Sequence, residues 1–234
     1  MRICYFGDYD PEYSRTRVIL LGLEESGTTV VHCNVRKRGF SKYRKLWSML
    51  RVLHGEYDVL LVGLGDDRFM PLFAWLVSRR PVVWEPLFSL YDNWVFDRKL
   101  ASPHSLKAYY YWFMDWLGCK VSDLIILDTD TNCKYFHDTF GVPMKKLARV
   151  LVGADTAVFA PLPKTSTTGK FEVEFHGKYI PVQGTEVIVR AAKLLEKDDV
   201  HVTMIGGGQA FNETKTLSER LATANISFLP FLPR

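Results

Sequence analysis

The stretch Phe171–Gln209, FEVEFHGKYIPVQGTEVIVRAAKLLEKDDVHVTMIGGGQ, decides the fold. Phe171, Val173 and Phe175 alternate with polar residues, the period of a strand, and the run stops at His176-Gly177. Val187, Ile188, Ala191, Ala192, Leu194 and Leu195 follow at spacings that gather them on one helical face. Val200, Val202, Met204 and Ile205 give a second strand, which Gly206-Gly207-Gly208 closes. Strand, helix and strand make a βαβ unit with a glycine turn after each strand, at the edge where open α/β sheets bind ligands. Backbone amides approach phosphate oxygens closely only where no Cβ intervenes. The plainer reading is that these glycines only make tight turns.

The 234 residues suit one large domain or two small ones, and an apolar share of 47% is enough for a packed core. A formal charge of +4 is too small to argue for nucleic acid by itself, and no recognisable nucleic-acid motif accompanies it. No apolar run reaches the ~18 residues of a membrane span, and MRICYFGDYD begins directly with a strand and not a signal peptide. Cys4, Cys33, Cys119 and Cys133 lack metal-ligand spacing, and Cys4 and Cys33 fall inside strands as small hydrophobes. The simplest expectation is a reduced cytosolic protein without a metal or resident cofactor.

Outward from the central stretch, the first half repeats the α/β pattern. Strands are expected at 2–6, 29–35, 57–63, 81–85, 123–127 and 148–151. A helix from about 14 to 26 is expected to bury Val18, Ile19, Leu21 and Leu23. The first strand is not followed by G-x-G-x-x-G, which weakens a nicotinamide-dependent oxidoreductase. Gly7, Asp8, Tyr9 and Arg15 surround the first turn as candidate ligand-facing residues. Arg15 either binds an anion or is a solvated arginine.

Arg36, Lys37, Arg38, Lys42, Arg44 and Lys45 form a basic block with no acid between Asn34 and His54. Tyr43, Leu46, Trp47, Leu50 and Leu53 interleave with it at helical spacing, so the segment reads as a basic amphipathic helix facing an anionic membrane surface or simply a solvated face. The loop EPLFSLYDNWVFDRK, 85–99, mixes Glu85, Tyr91 and Asp92 with Phe88, Trp94 and Phe96. Asp92 or Glu85 is a candidate positioning carboxylate or base, with a turn cap as the other reading of Asp92. In LKAYYYWFMDWL, 106–117, Leu106, Tyr109, Tyr110, Phe113, Trp116 and Leu117 are expected to face the core and Tyr111 and Asp115 to point away.

GKYIPVQGTEVIVRAAKLL followed by VHVTMIGGGQ resembles the donor-domain opening of glycosyltransferase family 4, the retaining GT-B enzymes. VGADTAVFAPLP resembles that family's interdomain joint. The resemblance implies an N-terminal Rossmann-like acceptor-side domain over 1–160, a linker over 161–170 and the first part of a donor-side domain over 171–234. It implies donor-phosphate binding by Gly177, Lys178, Gln183, Gly184, Gly206, Gly207 and Gly208, and an acceptor side that includes Gly7, Asp8, Tyr9, Arg15 and Tyr91, where Arg15 would bind an anionic acceptor. Lys178 stands where the family has an arginine and Gln183 where it has a lysine. The loop after the fourth strand lacks the family's sugar-binding histidine.

The resemblance further implies a hexosyl-type transfer from a nucleotide-sugar. A lipid-linked sugar or polysaccharide precursor as acceptor, and a cytoplasmic place peripheral to the inner face of the membrane, fit the basic helix, and no metal is expected because no carboxylate cluster suits Mg²⁺ near a phosphate loop. The resemblance also implies roughly another hundred residues of donor domain, with a paired-glutamate signature, so the 234-residue chain is expected to have little or no activity. The competing reading is a non-catalytic GT-B-like protein that binds a membrane surface or a partner.

Overall fold

Near-continuous apolar runs such as YDVLLVG belong to strands covered on both faces, and here they become one parallel sheet. Its strands are β1 (Arg2–Gly7), β2 (Thr29–Asn34), β3 (Val59–Val62), β4 (Val82–Leu87), β5 (Leu124–Leu127) and β6 (Leu147–Arg149), in the order β2-β1-β3-β4-β5-β6. The structure is a computed structural model describing residues 1–37, 39–65, 67–156, 158–161 and 169–231. It divides into two units, Met1–Asn93 with Ser102–Ala160, and Trp94–Ala101 with Pro161–Arg234. Most of the expected linker, 162–168, lies outside the described residues.

Period-two alternation assigns the two faces of β1. Cys4 and Phe6 join the larger core with Leu46, Leu60, Val62, Trp84, Ile125 and Phe136. Ile3 and Tyr5 join a smaller core with Tyr9 and Leu61. Helices α1 (Ser14–Glu25), α2 (Ser41–Val52), α3 (Met70–Val77), α4 (Leu90–Asp92), α5 (Leu106–Val121) and α6 (Asp130–Phe140) connect the strands. Because β1 pairs with both β2 and β3, the chain reverses its winding between β1 and β3. The loops after these two strands therefore part at the carboxyl edge, the place where an open sheet forms a crevice.

Two helix faces differ from the sequence expectation. In α1 the buried residues are Arg15 and Thr16, Ile19, Leu20 and Leu23 pack on the smaller core, and Leu21 is exposed. The cause is the buried partner that Arg15 finds, described below. In α5 the buried face is made of Ala108, Met114, Asp115, Gly118 and Cys119, while Leu106, Tyr109, Tyr110 and Phe113 are exposed. The Trp84 ring fills the space beside Gly118, where a Cβ would lie 2.6 Å from it. Small residues thus admit a large ring from the sheet, which turns the helix's own aromatic side outward.

The second unit has β7 (Phe171–Lys178), α7 (Thr185–Leu194), β8 (Val200–Gly207), α8 (Phe211–Arg220) and β9 (Ile226–Leu229), with a parallel sheet ordered β7-β8-β9. β7 continues beyond its expected end, pairing Gly177 with Gly206 and Lys178 with Gly207. Tyr179, Val189, Ala192, Val202, Met204 and Leu217 form its core. The face of α7 is rotated from expectation: Val189 and Ala192 are buried, whereas Val187 and Leu194 are exposed.

Candidate functional site

At the switch point of the first unit, three charged side chains meet. Lys42 Nζ lies 2.7 Å from Asp8 Oδ2 and 2.7 Å from Asp67 Oδ2. The Tyr43 hydroxyl donates to Asp67, and the Phe69 amide donates to Asp67 Oδ1 over 2.9 Å. Gly65 permits this approach, since a Cβ there would stand 2.3 Å from Asp8 Oδ1. Burial raises the Asp67 pKa, but the hydrogen bonds from Lys42, Tyr43 and Phe69 and the Lys42 charge outweigh it and hold the carboxyl below its ordinary value. Burial likewise works against the Lys42 charge, and the two carboxylates reverse that and raise its pKa.

Lys42 is therefore not a membrane-facing cation: at 8% exposure it closes the turn between two loops. Arg36, Lys37, Arg44 and Lys45 are exposed, with Arg36 paired to Asp10 over 3.0 Å, and Arg38 lies outside the described residues.

Behind the crevice lies a second polar group. Arg15 Nε donates to Glu85 Oε1 at 2.7 Å, and the Tyr5 hydroxyl donates to Glu85 Oε2 at 3.0 Å. Burial raises the Glu85 pKa against the lowering by Arg15 and Tyr5. Arg15 also donates to the Val150 carbonyl over 3.1 Å, tying α1 to the strand-exit segment after β6. Tyr9 packs edge-on against Tyr5, with ring centroids 4.5 Å apart. Glu85 and Tyr9 are 1% exposed and Arg15 4%. These three, with the buried Gly7, hold the sheet edge together from inside, so Glu85 cannot serve as a base for a bound hydroxyl and Arg15 and Tyr9 cannot grip an acceptor.

The loop after β4 carries the two remaining candidates, both half-buried. Leu87 takes φ +64°, a left-handed conformation costing a non-glycine residue ~1–2 kcal/mol, at an irregularity in the pairing with β5. Asp115, fully buried on α5, then collects the loop: Ser89 Oγ donates to its Oδ2 over 2.7 Å and the Tyr91 amide over 2.9 Å. Burial raises the Asp115 pKa against the Arg68 charge and these hydrogen bonds. Ser89 also caps α4 by accepting from the Asp92 amide. Tyr91 and Asp92 remain half-buried at this rim. Asp67, Tyr43 and Asp115 escaped the sequence reading because their partners lie far along the chain. Aspartate preceding a helix and tyrosine on an amphipathic face also have ordinary explanations.

In the second unit the loops after β7 and β8 lie side by side. Tyr179 N donates to Gly207 O at 3.0 Å, and Ala210 N donates to Tyr179 O at 2.9 Å. A Cβ on Gly206, at φ +134°, would lie 1.9 Å from Gly177 O, and one on Gly208, at φ +146°, would lie 2.8 Å from Tyr179 O. Tight backbone packing thus explains these two glycines, and Gly206 is buried. Gly207 is half-buried, and the exposed Lys178 and Gln183 flank the loop that reaches Gly184, at φ +58° before α7. Thr185 and Thr214 join the first turns of α7 and α8 through a 2.7 Å hydroxyl contact.

The architecture has solved counterparts. An Anabaena protein, HepE, in complex with UDP and glucose aligns with 100% of this chain and 70% of its own at 15% identity, TM-score 0.63. Sucrose-phosphate synthase of Thermosynechococcus elongatus aligns over 99% and 71% at 12% identity, TM-score 0.69. The lipopolysaccharide outer core galactosyltransferase WaaB aligns over 99% and 68% at 11% identity, TM-score 0.56. The fold is GT-B. No protein-family model matches the sequence, and no curated protein sequence does. The two clusters above lie at the carboxyl edges of the two parallel sheets, the edge at which open α/β sheets in general bind ligands. Among the described residues no helix is long and apolar enough to cross a membrane.

Proposed function

We propose that the chain serves a nucleotide-sugar-dependent glycosyltransferase of hexosyl type, acting with retention on a lipid-linked sugar or a polysaccharide precursor. The observation that carries this reading is the alignment of the entire chain, both units included, with a protein held in complex with UDP and glucose. The second unit supplies the donor side. The exposed Lys178 ammonium offsets charge on the departing diphosphate, and the amides at the start of α7, behind Gly184, add the positive end of a helix dipole. Gln183 contributes hydrogen bonds where a cation would contribute charge. On the acceptor side Asp8 is held by Lys42, and Tyr91 and Asp92 are the half-buried rim groups positioned by Asp115 and Ser89. The reaction in this reading uses no metal, and the exposed basic residues beside α2 hold the protein peripherally on the cytoplasmic membrane face.

Isothermal titration with UDP-glucose, GDP-mannose and NAD tests it. Micromolar binding of a nucleotide-sugar, weakened about tenfold (~1.4 kcal/mol) by Lys178→Ala, is the expected result. Absence of binding to UDP, GDP and their sugars at millimolar concentration overturns it. A non-catalytic GT-B module that binds a membrane or a partner is the second reading, favoured by the neutral Gln183. Retained affinity for anionic vesicles without nucleotide binding would establish that module.

A further inference from the structure

The first unit contains an apolar cavity of about 460 Å³ between the start of α2 and α3. Phe40 and Tyr43 form one wall, and Phe69, Leu72, Phe73 and Leu76 the other. The inner rings are fixed: Tyr43 meets Phe73 edge-on at 4.9 Å, and Phe73 stacks over Phe6 at 6.1 Å. The mouth is open and greasy, with Phe40 90% and Leu76 65% exposed. Water gains nothing from such a lining, and a soluble protein keeps large apolar side chains at an open rim chiefly where something covers them.

Charge identifies the occupant. Lys37 precedes the cavity's Phe40, and Arg44 and Lys45 follow Tyr43, all three exposed and with no acid between Asn34 and His54, while Arg36 beside them is paired with Asp10. Inside, the sign reverses, because Lys42 faces two carboxylates, Asp8 and Asp67. An anion is therefore attracted to the rim and repelled from the floor, while the aromatic walls accept hydrocarbon. A cavity of this volume is the size of a small-molecule site and not of a groove for a protein helix. The geometry points to a site for the hydrocarbon chain of a lipid phosphate, with the chain between α2 and α3 and the phosphate held by the rim cations. This deepens the acceptor side of the transferase reading, on which its purpose rests, but chain binding itself involves no nucleotide.

The test uses the full chain without any nucleotide. Monomeric dodecyl phosphate is titrated calorimetrically beside inorganic phosphate and dodecyl maltoside, and flotation is scored with phosphatidylglycerol and phosphatidylcholine vesicles. The expected result is saturable dodecyl phosphate binding, at least tenfold tighter than either control, and flotation with phosphatidylglycerol alone. Phe40→Asp and Leu76→Asp alter exposed side chains, so the melting temperature should hold while affinity falls at least tenfold. Arg44→Glu with Lys45→Glu should weaken dodecyl phosphate about fivefold or more. The inference is overturned if the two apolar variants bind as the parent does, if inorganic phosphate binds equally well, or if only an acidic amphipathic peptide binds this face. Because UDP-glucose binding is measured separately, loss of either reading leaves the other legible.

Discussion

The carboxyl edges of the two sheets solve the same geometric problem by different chemistry. In the first unit the edge is built from side chains: Arg15, Glu85 and Tyr5 inside, and Asp8, Lys42, Asp67 and Tyr43 at the crevice. In the second it is built from backbone, with Gly206 and Gly208 lying against Gly177 and Tyr179 so closely that no Cβ fits. The cations differ accordingly. Lys42 is buried between two carboxylates, whereas Lys178 is exposed. At a side-chain edge most of the charges are taken up by one another, which leaves few of them for a ligand. A backbone edge leaves its neighbouring side chains open to solvent.

The comparison breaks most sharply at Glu85. Glu85→Ala leaves the Arg15 guanidinium buried without its carboxylate, and about 3–5 kcal/mol of first-unit stability should be lost in urea unfolding. The double variant Arg15→Met, Glu85→Leu should recover most of that, since an apolar pair removes the uncompensated charge. Next is Gly206→Ala, which sets a methyl against the Gly177 carbonyl. A loss of about 3 kcal/mol is expected from overpacking and backbone strain, and tryptophan-free probes on β7 should report it while first-unit probes stay unchanged.

Lys42→Met should cost about 2 kcal/mol by leaving Asp8 and Asp67 to repel each other, somewhat under the fully buried case because both retain slight exposure. Its pH dependence follows from the shifts. The depressed Asp67 pKa gives stability that is present above the ordinary aspartate value of about 3.9 and is lost as pH falls through the folded value. The raised Lys42 pKa gives stability that is present below about 10.4 and is lost as pH rises through its folded value. The gap between parent and Lys42→Met should therefore be flat near neutrality and shrink in acid, as urea titrations across pH would read. The smallest stability effect belongs to Lys178→Ala, which should move unfolding by less than about 0.5 kcal/mol. A larger change would show that Lys178 serves the fold and not a ligand.

Much of the architecture was legible because strand periodicity is local. The runs in 2–6, 57–63 and 123–127 each needed burial on both faces, and only a parallel α/β sheet supplies that. The site was less legible. Arg15, Tyr9, Glu85 and Lys42 are polar residues beside loops, and such residues read as ligand-facing when nothing displays their partners. Glu85 lies 70 residues from Arg15 and 80 from Tyr5, so the sequence pattern carries no sign of either contact. The aromatic face of α5 misled for a related reason, since Gly118 and Ala108 mark the buried side only once Trp84 is placed against them.

From the sequence alone came the two α/β units, the glycine turns at their strand ends and the basic run before α2, because each depends on neighbours within a few residues. Tertiary structure decided which charges are consumed inside the fold and which remain for a ligand. That choice depends on desolvation and on partners brought together from distant strands, and a carboxylate or ammonium has no fixed role until its surroundings set the cost of its charge.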